Sequence, residues 1–273
     1  MKITWKLITA LILILLIVWS YVSAPPPLPE ASDSSASATI AIEDVLQIVA
    51  AENDIARTLY TASIVGAGQA VGLRFAENWK QADIQAGPLP ALFLREAATS
   101  IERSPIPLGL FLGSDYPISP SNAFAGRQAT AFERMKTDDL QPKYFFDEDT
   151  GRHTAMFRDL ASVQACVTCH NEHPDSPKKD WVLNDPMGAT TWTYPKQKVS
   201  KAEALMILTA VRQGFSDAYQ GYLDKVATFV PAIPVGSDWP TEKASLPDLE
   251  TFIAEFERRA SARTLKHLLA LEP

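Results

Sequence analysis

The sequence predicts an α+β fold, in which helices flank a central antiparallel β-containing stretch, with an apolar segment ahead of it and a helical extension behind it. Apolar residues recur at helical spacing from about Ile40 to Trp79 and again after Ser200. Between them lie short runs rich in aromatic and β-branched residues, separated by Gly, Pro and Asp turns. The β-runs are too few and too clustered for an all-β chain, and their presence argues against a small all-helical domain.

The chain starts with Lys2 and Lys6, followed by Leu7 to Ala24, 18 residues without a charge. That length falls between a signal-peptide core and a spanning helix of roughly 20 apolar residues. Val22-Ser23-Ala24 has the small-residue form of a cleavage site, but Pro25 follows directly, so an uncleaved anchor over 1–24 is favoured. Basic residues ahead of the segment place the N-terminus in the cytoplasm and the rest outside. The expected location is a bacterial inner membrane, crossed once, with the folded body in the periplasm. Residues 25–38 (PPPLPEASDSSASA) read as an extended, solvated linker.

The domain is expected over 39–198, with a helical extension over 199–273. In its first helix, Ile42, Val45, Val49, Ile55 and Leu59 share one face. The spacing Gly66-x-Gly68-x-x-x-Gly72 is one residue too long for a dinucleotide loop and follows no strand, so it reads as a break or close packing between helices. A second helix follows Pro88-Leu89-Pro90, over Ala91 to Ile101. Leu108–Leu112 is a short apolar run, and Asp115–Asn122 is turn chemistry. Lys143–Phe146, the turn Asp149-Thr150-Gly151 and His153–Phe157 form an expected hairpin. Met187–Tyr194 is a further β-run. Ser200 with Glu203 reads as a capping box. It opens a helix carrying Leu208, Val211, Phe215, Tyr219, Tyr222 and Val226 on one face. After a proline-rich loop over 230–247, a last amphipathic helix runs from about Asp248 to Leu269.

At 273 residues, 47% hydrophobic and 9% aromatic, the chain can bury a sizeable core. Its net charge of −7 and lack of a basic cluster exclude a nucleic-acid partner.

Both cysteines lie in Cys166-Val167-Thr168-Cys169-His170. Two thiols three residues apart project from one side of a helical turn and can add to both vinyl groups of one haem. The histidine that follows is then directed at the iron as proximal ligand. One covalent haem c per chain is therefore expected, and an export segment agrees with it. The alternatives are weaker. A thioredoxin-like dithiol needs a strand–motif–helix context absent here. Zinc on Cys166, Cys169, His170 and His173 would crowd four ligands into eight residues. A disulfide between residues i and i+3 closes a small strained loop.

The sixth iron position stays open between His153 or Met156 on the strand before the motif and a vacant or water-filled site. His173, Met187 and Met135 are remoter candidates. Arg152 and Arg158, with Lys178 and Lys179, are expected near the propionates, because a partly buried carboxylate needs charge-assisted hydrogen bonds. Carbonyls around Pro174 and Pro177 are candidate acceptors for the His170 N–H. Spacing alone supports no acid–base constellation, so no catalytic residues are assigned and the chain is not read as an enzyme.

Three segments in order carry a resemblance over about residues 40–195. They are Ser119-Pro120-Ser121-Asn122 with Phe132-Glu133, then the Cys166–His170 motif, then Asp180-Trp181, Asp185 and Gly188-Ala189. The region resembles the PAS-like, c-type-haem-binding sensor domains found outside the membrane in bacterial receptors. Ser119 and Asn184 stand where that family usually has Asn and Gly. The resemblance implies a central antiparallel sheet flanked by helices, with haem held at one edge. The leading expectation is a membrane-anchored monohaem cytochrome with a sensor-like fold that senses or relays redox state. With so short a cytoplasmic tail, it would act through a redox or signalling partner protein. A periplasmic electron shuttle is the alternative, and a haem enzyme such as a peroxidase is a third.

Overall fold

A computed structural model describes residues 39–137, 141–241 and 243–270, the side chains at 262–263 and 265–270 excepted, together with residues 13, 14 and 19. Apart from those three positions, the expected anchor over 1–24 and the linker over 25–38 lie outside the described residues. No helix among the described residues is long and apolar enough to cross a membrane. Thr39–Pro273 forms one compact unit.

Strand β1 (Thr39–Ala41) leads directly into helix α1 (Ile42–Leu59), which continues as a π-helical turn over Tyr60–Gly66 and a short α2 (Ala67–Ala70). The helix expected to reach Trp79 thus stops at Ala70. Gly72 adopts φ +89°, a left-handed conformation that ends a helix and that glycine takes without a Cβ penalty. Gly68 packs closely on Leu73 and Phe75, so the glycines make a break and a close contact between segments.

Helix α3 (Pro90–Arg103) starts with proline at its first position, where no N–H is missed. Strand β2 (Gly109–Gly113), a 3₁₀ turn over Pro120–Asn122 and helix α4 (Gly126–Thr137) follow. The expected hairpin forms as β3 (Lys143–Asp147) and β4 (Arg152–Leu160), turning at Gly151 with φ +64°. Helix α5 (Gln164–Glu172), β5 (Pro186–Tyr194), β6 (Lys198–Ser200), α6 (Lys201–Val226) and α7 (Leu249–Ala270) complete the chain. Ser200 caps α6 by accepting from the Glu203 N–H at 3.1 Å. The Glu203 carboxylate does not complete the box. It turns to the Tyr194 hydroxyl at 2.5 Å and the Lys196 ammonium at 2.8 Å.

The fold is α+β. One antiparallel sheet has the order β2-β5-β4-β3, and a two-stranded antiparallel ribbon pairs β1 with β6. Residues paired across antiparallel strands share a face. Leu110, Ala155, Trp192 and Tyr194 therefore line one face, and there they join the main core with α1, α3, α6 and α7. Within that core Tyr60 stacks on Phe93 at 4.1 Å and Tyr219 on Phe252 at 3.9 Å. The other face carries Met156 and Ala189, which pack on Ala131, Phe132 and Met135 of α4.

Beneath the helices, Glu52 of α1 is 1% exposed and accepts twice from Arg212 of α6, at 2.6 and 2.9 Å, and once from Thr264 of α7, at 2.7 Å. The charge is tolerated because its lone pairs are answered from two other helices. The C-terminal helices thus share one core with the sheet.

Candidate functional site

The Cys166–His170 motif lies on α5, which begins four residues after the end of β4. The Val163 carbonyl receives the Cys166 N–H at 3.0 Å, and the Cys169 carbonyl receives that of His173 at 2.9 Å. Pro174 then blocks further helix. One apolar side chain seats the helix: Val167, 7% exposed, packs in a small cluster with Ala161 and Trp181, flanked by Cys166 and Met187. Asn171 pins the facing loop by donating to the Trp181 carbonyl at 3.0 Å and accepting from the Trp181 N–H at 2.9 Å. Exposed Val163, Val182 and Leu183 adjoin this seat along the chain, and half-exposed Tyr116 meets the Trp181 ring edge-on.

Both cysteines are free; Cys166 is half-buried and Cys169 exposed. They stand one helical turn apart, as i and i+3 neighbours do. Burial first, then the charges of Glu77, Cys166 and Glu172, raises the Cys169 thiol pKa. Burial, reinforced by His173 and opposed by Glu77, lowers that of His170, which favours its neutral imidazole. His170 Nδ1 is buried without a hydrogen-bond partner among the described residues, so neither proline carbonyl receives it. His173 is engaged at both nitrogens: Nδ1 accepts from the Asp175 N–H at 3.1 Å, and Nε2 lies 3.2 Å from a Glu77 carboxylate oxygen.

Other expected site residues are dispersed along β4. His153 lies seven residues before Leu160, about 23 Å along extended strand. It packs on Phe146, with Nδ1 3.9 Å from Glu43. Met156 is fully buried in the α4 cluster. His153 and Met156 also point to opposite sheet faces, being three residues apart. Arg152 is tied down at the far end of the strand, donating to the Thr193 hydroxyl at 2.9 Å and to the Pro107 carbonyl. Arg152 and His153 are thus held at the start of β4, and Met156 is enclosed by the α4 cluster.

Arg158 is placed differently. It lines a cleft of about 490 Å³ between α1 and the β4–β5 pair, with Asn53, Asp54, Arg57, Asp159 and Thr190. The cleft forms where β4 runs on beyond β3, which begins opposite Met156. Arg57 and Asp159 are ion-paired across it, and Asp159 also accepts from Thr190 at 2.8 Å. The Asp159 charge raises the Arg57 pKa. Arg158 Nε and Asn53 Oδ1 are buried without partners among the described residues. Lys178 sits with its ammonium 4.6 Å over the Trp181 ring and pairs with Asp180.

Residues 32–195, more than half of the chain, match one family description, Tll0287-like. The chain belongs to the Tll0287-like family. This is a cytochrome c-like family, and its match spans the four-stranded sheet and β1. No curated protein and no solved structure matches the chain. Within the Tll0287-like region, the donor set that fits a c-type haem is Cys166, Cys169 and His170: two free thiols one turn apart and a half-buried imidazole beside them.

Glu77 and Asn171 were not expected at the site, nor was Asn53 in the cleft that Arg158 lines. Glu77 reaches His173 only through tertiary packing, and no linear spacing links it to the motif. Asn171 sits beside His170 in sequence, but its value lies in the loop that it clamps.

Proposed function

We propose that this chain is a monohaem c-type cytochrome with a PAS-like sheet, tethered to a membrane on its outer face, that senses or relays redox state. The observation that carries the reading is the pair of free cysteines one helical turn apart on α5, followed directly by a half-buried His170. Bound haem would supply one-electron chemistry at its iron. Cys166 and Cys169 would hold it as thioethers, and His170 would ligate it from the helix. Half-buried Arg158, whose Nε has no partner among the described residues, supports a role in neutralising a propionate. The sheet order β2-β5-β4-β3 with helices against both faces supports the PAS-like description. The apolar, base-preceded segment Leu7–Ala24 supports the membrane tether and periplasmic placement. Its partner is then a redox or signalling protein, and we assign it no catalytic reaction.

The test is a pyridine haemochrome spectrum of the full chain matured in a host competent for c-type cytochromes. A covalent single-haem spectrum is expected, and it should vanish in Cys166→Ser/Cys169→Ser. A wild-type protein that matures without haem would overturn the reading. Carbon monoxide added to the reduced protein then separates the two modes: rapid binding assigns gas or redox sensing, and an inert six-coordinate spectrum assigns electron relay.

A further inference from the structure

Few buried N–H donors in a folded protein lack an acceptor, because one left unmade loses its bonds to water without replacement. Trp181 is one that does. Its side chain is 5% exposed and its indole Nε1 has no partner among the described residues. The ring cannot readily turn to find one. Its backbone is clamped at both N–H and C=O by Asn171, its edge meets Tyr116 at 6.0 Å, and its face carries the Lys178 ammonium at 4.6 Å. Other buried side chains, Trp192 among them, also lack partners, but Trp192 lies in the main core. Trp181 belongs instead to the Ala161–Val167 cluster that seats the motif helix, with Cys166 against it.

We propose that the Trp181 indole N–H is held in place to donate to a carboxylate of the haem attached at Cys166 and Cys169, with Lys178 adding positive charge beside it. This rests on the haem reading above and extends it by naming a propionate anchor. A donor already immobilised by packing loses little entropy when it bonds, and a nearby cation strengthens a hydrogen bond to a carboxylate. A hydrogen bond there would also draw negative charge away from the iron and so favour the reduced state.

Two measurements test it. In the reduced holoprotein under carbon monoxide, which is diamagnetic whether a side chain or the gas fills the sixth position, a nuclear Overhauser contact is expected between the Trp181 indole proton and propionate methylene protons. Its absence, with the indole resonance assigned, would overturn the proposal whatever the variants do. Trp181→Phe keeps a ring but removes the donor. It should retain the covalent haemochrome, shift the propionate-bending band in the resonance Raman spectrum and lower the midpoint potential. A fully loaded variant with an unmoved band and potential would also overturn it. A wild-type protein without haem would instead sink the underlying haem reading, which the haemochrome spectrum reveals separately.

Discussion

At the scale of the residue, the site depends on groups that fix others in place. Asn171 is the clearest case, because one amide satisfies both backbone groups of Trp181 and so joins the motif helix to the loop that follows it. Asn171→Ala should cost about 2 kcal/mol, the value of two part-buried hydrogen bonds left unmade. Asn171→Asp keeps the acceptor and loses the donor, so it should fall between the two in urea unfolding. Equal midpoints for all three proteins would show that the clamp contributes nothing. Asn184 makes a related point. It stands in the same loop at φ 70°, a left-handed conformation that asparagine tolerates better than most residues, where the resembled family uses glycine. Gly188 is constrained differently: a Cβ there would meet the Gly113 carbonyl of the paired strand β2.

At the scale of the element, close approach between α3 and α6 organises the helical layer. Gly214 makes it possible, since an added Cβ would lie 2.8 Å from an Ile101 side-chain carbon and 3.0 Å from the Ala97 carbonyl. Gly214→Ala improves intrinsic helix propensity by about 1 kcal/mol, yet it overpacks the crossing at about 1–3 kcal/mol. A net loss of stability is expected in thermal or urea unfolding; a raised midpoint would mean that the helices separate freely. Strand β4 has a second organising role. Its first residues carry Arg152 and His153 to one end of the sheet, while its last lead into α5. A nine-residue strand therefore separates groups that look adjacent in the chain.

At the scale of the whole molecule, the C-terminal helices are part of the same core as the sheet. The Glu52–Arg212–Thr264 set joins α1, α6 and α7 at a carboxylate 1% exposed. Arg212→Met leaves that carboxylate with one hydroxyl partner and should cost about 3 kcal/mol. The paired change Glu52→Met with Arg212→Met should recover most of that loss, because it removes the buried charge as well as its partner. A double variant as unstable as the single one would argue that packing, and not charge, dominates there. A truncation after β6 would remove Phe215, Tyr219, Tyr222, Phe252 and Phe256 from the aromatic core at once.

The sequence alone determined what local chemistry controls. The Cys166–His170 spacing fits a haem whatever surrounds it, and the helices from Pro90 and from Ser200 follow from proline at a first turn and from a side-chain cap. The Lys143–Leu160 hairpin follows from its Gly151 turn. Nearness to the motif was not legible in this way. His153 and Met156 precede the motif closely in the chain, but extended backbone advances about 3.3 Å per residue and alternates its faces, so His153 lies far along the strand and the two point to opposite sides. Arg152 is withdrawn for the same reason, whereas Arg158, six residues further along, reaches the cleft. The Glu77–His173 pair and the buried indole of Trp181 arise where separate segments meet, and no pattern within one segment encodes them. Only the tertiary structure decided which side chains stand around the cysteines, because that depends on where the strand ends and on which loop folds back over the helix.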